Sequence, residues 1–225
     1  SGITMEKCVE MAHRLGERTV DSDMTTPDPF AMHRMLHEME SSGLTHACME
    51  VSSHSLSLHK TDHVDFDVGI LTDITEDHLD FHGSRENYIR AKQRLFEALP
   101  EEGTAILNAD SEVCERFHQA TAANVLTYGM DTLADIRGRI LEQTPQGTTM
   151  AFRTPLWGRV LHTPLIGEYN CHNILAAAAA AFALGCEPGD VTDALEDFTG
   201  VPGRLEKVNA GSADMPGVCV DDAHT

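Results

Sequence analysis

Short apolar runs separated by helix-length segments are the feature of this sequence that most restricts its fold. The runs have the length and the Val, Ile and Leu content of buried strands. Parallel strands need crossover connections of about a dozen residues or more, and these are usually helical. The alternation therefore predicts an α/β fold, with a mostly parallel sheet and helices on both faces. The predicted strands are 45–51, 64–71, 103–107 and 125–129, and the predicted helices are 28–42 and 84–99.

The pattern changes after Asp131, where the apolar runs become shorter and Pro and Gly turns join them. Short apolar runs joined by tight turns predict a small antiparallel β patch. A long alanine-rich stretch and a second amphipathic stretch then predict two more helices. The predicted strands are 135–141, 148–154 and 158–166, and the predicted helices are 170–184 and 189–198.

The last part of the chain resembles a linker followed by the start of another unit. Val201-Pro202-Gly203 has linker composition, and residues 218–221 read as a strand with no partner in the sequence. We therefore expect a central domain over residues 1–203. Residues 204–225 would be a hinge and the first strand of a truncated C-terminal domain.

Charge and cysteine usage exclude several classes of protein. A formal net charge of −20 argues against binding to nucleic acid or to an anionic membrane, because both need Lys and Arg. The six cysteines include no Cys-x-x-Cys pair, which favours reduced thiols over a disulfide framework or a zinc ribbon. The N-terminal residues lack a signal-peptide pattern, and no apolar run approaches the ~20 residues of a membrane span. We expect a cytoplasmic monomer.

Carboxylates and imidazoles are concentrated between Asp73 and His82, directly after a predicted strand. Such side chains suit a hard cation or proton transfer. Ligands bind at the carboxyl ends of parallel strands, so Glu50 and His78 would face each other across one crevice. A polar loop with helix-capping aspartates is the competing interpretation. A serine nucleophile with a histidine base at residues 52–54 is a third, although the Gly-x-Ser-x-Gly elbow is missing.

Lys92 lies in the middle of an apolar stripe on a predicted helix. At ~100° per residue, Tyr88, Leu95 and Leu99 fall in the same narrow sector. A lysine in this position either extends along the apolar surface with its charge in water, or is held where the ammonium is disfavoured and the neutral amine can react.

Several short blocks follow one another in the order of one protein family. Together they resemble the signature blocks of the ATP-dependent Mur ligases, from roughly residue 13 to the end. Thr25-Thr26-Pro27-Asp28 and the first block below are most similar to members that add the third amino acid to the muramyl peptide. The blocks are Glu50-Val-Ser-Ser-His54, Thr75-Glu-Asp77-His78-Leu-Asp80-Phe-His-Gly83, Tyr88-Ile-Arg-Ala-Lys92, Ala134-Asp-Ile-Arg137, Gly167-Glu-Tyr-Asn170-Cys-His-Asn173, Val201-Pro-Gly-Arg204-Leu-Glu206 and Val220-Asp221-Asp-Ala-His224-Thr225.

The resemblance implies ATP-dependent amide-bond formation in peptidoglycan precursor synthesis, a step of cell wall biogenesis that supports cell shape and division. ATP would phosphorylate a carboxylate of UDP-N-acetylmuramoyl-L-alanyl-D-glutamate. The amine of diaminopimelate or lysine would then attack the acyl phosphate. Two Mg²⁺ ions would screen the phosphate charge. The implied partners are thus the UDP-muramoyl dipeptide, ATP and an amino acid.

The resemblance also implies a role for each of several residues. Glu50 would ligate the Mg²⁺ near the β- and γ-phosphates, His78 would ligate the second ion, and Lys92, as a carbamate, would support that second ion. The residues implied at the muramyl peptide are Thr25, Thr26, Ser53 and Lys60, with Lys60 where the family usually has arginine. The residues implied at the nucleotide are Asn170, Asn173, Arg204 and Asp221.

Besides Lys60, the sequence departs from the family pattern at two further points. It contains no Gly-x-x-x-x-Gly-Lys-Ser/Thr loop to hold the β- and γ-phosphates, so we expect the chain alone to lack ligase activity. Asp222 stands where the family usually has tyrosine. A folylpolyglutamate-type ligase, a metal-dependent hydrolase and an inactive nucleotide-binding module are the alternatives. Ligation would require a free amino acid, whereas hydrolysis would not.

Overall fold

A computed structural model describes residues 12–15, 18–21, 25–74, 78–130, 133–209 and 218–221. None of the helices in these ranges is both long and apolar enough to cross a membrane. The strands are β1 (Ala12–Leu15), β2 (Arg18–Asp21), β3 (Val68–Leu71), β4 (Thr104–Asn108), β5 (Asn124–Gly129), β6 (Ile136–Thr144), β7 (Gly147–Arg153), β8 (Gly158–Thr163), β9 (Glu206–Asn209) and β10 (Val218–Val220). The helices are α1 (Pro29–Ser41), α2 (Ser53–Ser57), α3 (Leu79–His82), α4 (Arg85–Glu97), α5 (Cys114–Ala120), α6 (Glu168–Ala183) and α7 (Pro188–Asp197).

The described residues form two compact units. The first lies within Ser1–Asp65 and His78–Leu95, and the second within Phe66–Asp77 and Phe96–Thr225. The first contains the β1–β2 hairpin, α1, α2, α3 and most of α4. The second contains the large sheet with α5, α6 and α7. The domain boundary expected after residue 203 stays a prediction.

A six-stranded sheet in the order β3-β4-β5-β6-β7-β8 organises the second unit. The pairs from β3 to β6 are parallel, and the pairs from β6 to β8 are antiparallel. The mostly parallel sheet and the antiparallel patch are both confirmed. The patch continues the parallel sheet, because β6 pairs with β5 on one side and β7 on the other.

One face of β4 is covered by α6. Ile106 on β4 is completely buried, and it belongs to the same apolar cluster as Leu175 and Ala178 of α6. The alanine-rich helix can approach the sheet closely because methyl side chains occupy little space between backbone and strand.

The opposite face of β4 is covered as well. Ala105 points to that face and pairs with Gly69 of β3, and a methyl group on Gly69 would lie 3.1 Å from Leu99 Cδ1. Phe96 of α4 packs edge-on against Phe117 of α5, with ring centroids 5.1 Å apart, and both rings are buried. Helices therefore lie on both faces of the sheet, as predicted.

The predicted helix 28–42 is confirmed as α1, and its start has a clear physical cause. Asp28 Oδ1 accepts hydrogen bonds from the backbone N–H groups of Phe30 and Ala31, at 3.0 and 3.1 Å. Pro29 occupies the first helical position, where a missing N–H costs nothing. The helix thus begins within one residue of the predicted start.

The predicted strand over residues 45–51 is wrong. Among the described residues, this segment pairs with no strand. Most of its residues are exposed, and the carbonyl of Glu50 accepts a hydrogen bond from the side chain of Thr26 at 3.0 Å. An apolar run becomes a strand only where a neighbouring backbone satisfies its polar groups, and here the carbonyl of Glu50 bonds to a side chain instead.

The expectation that strand 218–221 has no partner is also wrong. Its structured part, β10, pairs antiparallel with β9. This pairing is not predictable from the pattern, because the residues of β9 have no strong strand periodicity and directly follow the hinge.

Gly138 provides a test of how α6 packs on the sheet. A Cβ atom at this position of β6 would lie 2.8 Å from Leu175 Cδ1 and 2.9 Å from Met150 Cε. We expect Gly138→Val to lower the free energy of unfolding by about 1–3 kcal/mol through overpacking. Urea-induced unfolding followed by circular dichroism measures this.

The matched control is Gly189→Ala in α7, where nothing lies within 4 Å of the added Cβ. Its free energy of unfolding should equal that of wild type or exceed it by about 0.5 kcal/mol. If Gly138→Val unfolds at the same urea concentration as wild type, α6 does not pack on β6 as described.

Candidate functional site

Thr26 is a buried residue of the first unit whose hydroxyl group joins two parts of the backbone. Its side chain is 2% exposed. Oγ1 donates to the carbonyl of Glu50 and accepts from the backbone N–H of Ser52, both at 3.0 Å. The neighbouring Thr25 is half-buried. Thr26 therefore fixes the backbone on both sides of Val51.

Ser52 begins α2 directly after this segment. Its Oγ accepts from the backbone N–H of Ser55 at 3.2 Å and lies 2.7 Å from Ser55 Oγ, so it caps the helix. The side chain of Glu50 is exposed. Glu50 thus lies directly before Val51, and the Thr26 hydroxyl hydrogen-bonds to the backbone on both sides of that residue.

Ser53 and His82 form a buried pair. Ser53 Oγ lies 2.9 Å from His82 Nε2, and the two residues are 2% and 8% exposed. Burial lowers the pKa of His82, and the nearby charges of His54, His78 and Lys92 lower it further, while Asp80 opposes them. The imidazole is therefore neutral near pH 7. It connects the start of α2 to the end of α3.

His54 makes a second connection between the same two segments. Its ring lies 4.9 Å from the ring of His78 and 4.1 Å from that of Phe81, measured between centroids. His78 is exposed and adopts the left-handed conformation, with φ 55° and ψ 28°. Such a conformation costs energy for a non-glycine residue and is concentrated at functional sites.

Lys92 and His78 both lie close to the ring of Tyr88. Its Nζ is 5.4 Å from the centroid of the Tyr88 ring, and the ring of His78 is 6.2 Å from that of Tyr88. Tyr88 is 6% exposed, and Lys92 is half-buried. The predicted position of Lys92 on a largely buried helix face agrees with this arrangement.

The groups around Lys92 fit Mg²⁺ under one condition. Within the described ranges, no three His, Cys, Asp or Glu side chains are grouped to hold a metal ion. With an ammonium at Lys92, the group offers imidazole nitrogens and a positive charge, which a hard cation does not favour. A carbamate at Lys92 would replace that charge by two anionic oxygens beside His78. The donor set then fits Mg²⁺. Asp77 lies outside the described residues.

Lys60 and Arg94 lie at the other end of α2. The backbone N–H of Lys60 donates to the carbonyl of Ser55 at 2.9 Å, and its side chain is half-buried. Arg94 Nη1 donates to the carbonyl of Leu56 at 2.9 Å, and Nη2 lies 3.1 Å from His59 Nε2. Arg94 thus binds the C-terminal end of α2 to α4, and the sequence pattern had not indicated this role.

The second unit brings together two of the four residues expected at the nucleotide. Asn170 and Arg204 line one cavity of about 260 Å³. Asn170 Nδ2 donates to the carbonyl of Ile166 at 2.8 Å, and Asn173 Nδ2 lies 3.4 Å from Asn170 Oδ1. Asn173 is exposed and does not line the cavity. The other lining residues are Pro164, Leu165, Ile166, Thr199, Gly200, Leu205 and Glu206.

Asp221 lies beside the same cavity. Its Oδ1 accepts from the backbone N–H of Leu205, a lining residue, at 3.2 Å. Burial raises the pKa of Tyr169, and the charges of Asp221 and Cys219 raise it further, which places Asp221 near the start of α6. Asp222 lies outside the described residues.

Asp110 and His172, which were not predicted from the sequence as functional residues, fix the orientation of α6. Asp110 Oδ2 lies 3.0 Å from His172 Nε2 and also accepts from the backbone N–H of Met130. This pair joins α6 to the carboxyl ends of β4 and β5. Asp110 could have been singled out from the sequence, because it ends the run Asn108-Ala109-Asp110 directly after a predicted strand. His82 could likewise have been singled out, since it follows His78 by four residues.

Comparison with known proteins identifies the family. Residues 3–181 match the Mur ligase middle domain. The UDP-N-acetylmuramoyl-L-alanyl-D-glutamate--2,6-diaminopimelate ligase of Bacillus cereus is 38% identical over 218 residues, which cover 94% of this chain and 44% of that protein. The ligase of the same name from Chlamydia caviae is 43% identical over 218 residues, covering 95% of this chain and 44% of that protein.

A solved structure of a UDP-N-acetylmuramoyl-L-alanyl-D-glutamate--2,6-diaminopimelate ligase has the same fold. It superposes with a TM-score of 0.76 at 26% identity, over 85% of this chain and 40% of that one. The chain thus spans less than half the length of these relatives.

The Ser53–His82 pair can be tested by stability measurements. Ser53→Ala or His82→Phe leaves a buried polar partner unsatisfied, so each should lower the free energy of unfolding by about 1–3 kcal/mol. The double variant should show a coupling of at least about 0.5 kcal/mol. His82→Gln, which places an amide near the Nε2 position, should recover part of the loss. Urea unfolding of the four variants measures all three quantities.

His33→Ala is the control, because His33 is an exposed histidine on α1. Its effect should stay within about 0.5 kcal/mol. Additive losses in the double variant would show that Ser53 and His82 do not interact.

Proposed function

The chain belongs to the Mur ligase family, and we propose that it is the central, ATP-binding part of an enzyme that adds the third amino acid to UDP-N-acetylmuramoyl-L-alanyl-D-glutamate. The relatives named above are diaminopimelate ligases, which favours diaminopimelate over lysine as that amino acid. The complete enzyme would use ATP and Mg²⁺ in peptidoglycan synthesis. We place it in the cytoplasm as a monomer, where its UDP-linked substrate is made.

The observation that supports this proposal most strongly is the grouping of Lys92 and His78 around Tyr88. The amine of Lys92 lies over the Tyr88 ring on a largely buried helix face, and the His78 imidazole neighbours the same ring. Conversion of that lysine to a carbamate explains why an amine occupies the position. It also explains why His78 is held in a strained backbone conformation next to it.

Each residue then has a task in positioning the reactants. Glu50, His78 and carbamylated Lys92 would hold Mg²⁺, which screens the charge of the phosphates when bound. Thr25 and Lys60 would contact the muramyl peptide, and Ser53 would act there through His82. Asn170 and Arg204 would orient the nucleotide at the cavity next to α6, and Asn173 and Asp221 would act from beside that cavity. Phosphoryl transfer depends mainly on such positioning and on charge stabilisation.

The amino-acid requirement of the complete protein tests this function. With ATP, Mg²⁺ and UDP-N-acetylmuramoyl-L-alanyl-D-glutamate, we expect phosphate release only when diaminopimelate is also present, together with one equivalent of tripeptide product. A coupled phosphate assay and mass spectrometry measure the two. Phosphate release at the same rate without an amino acid would support a hydrolase. Turnover with a folate and glutamate instead would support a folylpolyglutamate-type ligase.

Lys92 is the residue whose substitution distinguishes a carbamate from an ordinary cation. Arginine keeps the positive charge but cannot be carbamylated, so Lys92→Arg and Lys92→Ala should both lose at least about 100-fold in kcat, the usual effect of removing an electrostatic stabiliser. Acetate at millimolar concentration should restore part of the activity of Lys92→Ala, because it supplies two carboxylate oxygens in the vacated space. Steady-state kinetics of the complete enzyme measure both effects.

Acetamide is the matched control for acetate, since it has nearly the same shape and no charge. It should not restore activity. Acetate should also leave wild type unchanged. A fully active Lys92→Arg enzyme, or equal effects of acetate and acetamide on Lys92→Ala, would show that Lys92 does not act as a carbamate.

A further inference from the structure

The hydroxyl proton of Thr26 is used by the backbone of the segment that carries Glu50. The hydroxyl group donates this single proton to the carbonyl of Glu50 and accepts the N–H of Ser52, both at 3.0 Å, and the Thr26 side chain is 2% exposed. A hydroxyl has one proton to donate. Thr26 therefore has no proton left for a hydrogen bond to the muramyl peptide, whereas the half-buried Thr25 beside it has no such bond to the segment among the hydrogen bonds described.

We infer that Thr26 is a positioning residue, which fixes the direction in which the Glu50 carboxylate leaves the backbone. Its two hydrogen bonds span Glu50 and Ser52, so they restrict the backbone dihedral angles on both sides of Val51. This inference rests on the proposed function, because the role of Glu50 as a Mg²⁺ ligand belongs to it. It assigns Thr26 a task different from direct contact with substrate.

The segment needs such a restraint because it belongs to none of the sheets formed by the described residues. Residues 45–51 pair with no strand among the described residues. In a strand, ladder hydrogen bonds would fix the direction of each side chain. Here the capping bonds of Ser52 fix the chain directly after the segment. Without the Thr26 hydroxyl, the backbone at Glu50 would lose the two hydrogen bonds that set the position of its carboxylate.

A pair of substitutions separates the hydroxyl from the shape of the side chain. Thr26→Val keeps the shape and removes the hydroxyl, and Thr26→Ser keeps the hydroxyl. Thr45→Val, at an exposed threonine of the same loop, is the control. Two measurements on the complete protein are used: hydrogen exchange of the Ser52 amide, and Mn²⁺ binding followed by electron paramagnetic resonance with a non-hydrolysable ATP analogue present.

We expect Thr26→Val to speed exchange of the Ser52 amide and to weaken Mn²⁺ binding, each by about 5- to 30-fold, the factor that corresponds to the loss of one or two net hydrogen bonds. Thr26→Ser should recover most of both effects, and Thr45→Val should show neither. In kinetic assays, the KM for the UDP-muramoyl dipeptide should change less than the apparent Mg²⁺ constant.

Two results would overturn the inference. One is a Thr26→Val protein with unchanged Ser52 exchange and unchanged Mn²⁺ binding. The other is an effect confined to the KM for the dipeptide, which would assign the hydroxyl to direct substrate contact. Failure of the proposed function looks different, because wild type itself would then bind no Mn²⁺, and a role for Thr26 in placing a metal ligand would fail with it.

Discussion

Burial of β4 from both faces is the constraint on which the second unit depends. Ala105, Ile106 and Leu107 are completely buried, so each face of the strand requires a covering helix. The crossover connections that supply these helices make the neighbouring strands parallel, and parallel strands bring their carboxyl ends to one edge. Polar side chains cross-link that edge: Asn108 Nδ2 donates to the carbonyl of Thr72, and Tyr128 Oη donates to the carbonyl of Leu71. Burial raises the pKa of Tyr128, so this phenol stays protonated and keeps its hydrogen bond.

Among the described residues, side-chain hydrogen bonds connect the segments of the candidate site in the first unit. The Thr26 hydroxyl fixes the backbone around Glu50, the Ser52 hydroxyl caps α2, and the Ser53–His82 hydrogen bond joins α2 to α3. These hydrogen bonds form only at short distances and in defined directions. They connect the segments that carry Glu50 and His78, and both of these residues are exposed at the surface.

Much of the fold was predictable because hydrophobic periodicity reports which residues a helix or strand buries. The predicted helix over 84–99 and the strand over 103–107 correspond to α4 and β4 within a few residues. Residues 45–51 have the same apolar character as a buried strand, but periodicity does not reveal whether a partner strand exists. The candidate site was predictable only in part, and for the same reason. Glu50, His78 and Lys92 lie in recognisable blocks, whereas the contact of Ser53 with His82 joins residues 29 positions apart and exists only in the folded chain.

The proposed function depends most on a carbamate at Lys92, because the side chains of His78 and Lys92 around Tyr88 fit Mg²⁺ only when Lys92 is carbamylated. Its most direct test is a ¹³C nuclear magnetic resonance spectrum of the complete protein equilibrated with ¹³C-bicarbonate. We expect a carbamate resonance that is present in wild type, persists in Lys60→Arg and is absent in Lys92→Arg. A wild-type spectrum without that resonance, or one indistinguishable from the spectrum of Lys92→Arg, would contradict a carbamate at Lys92.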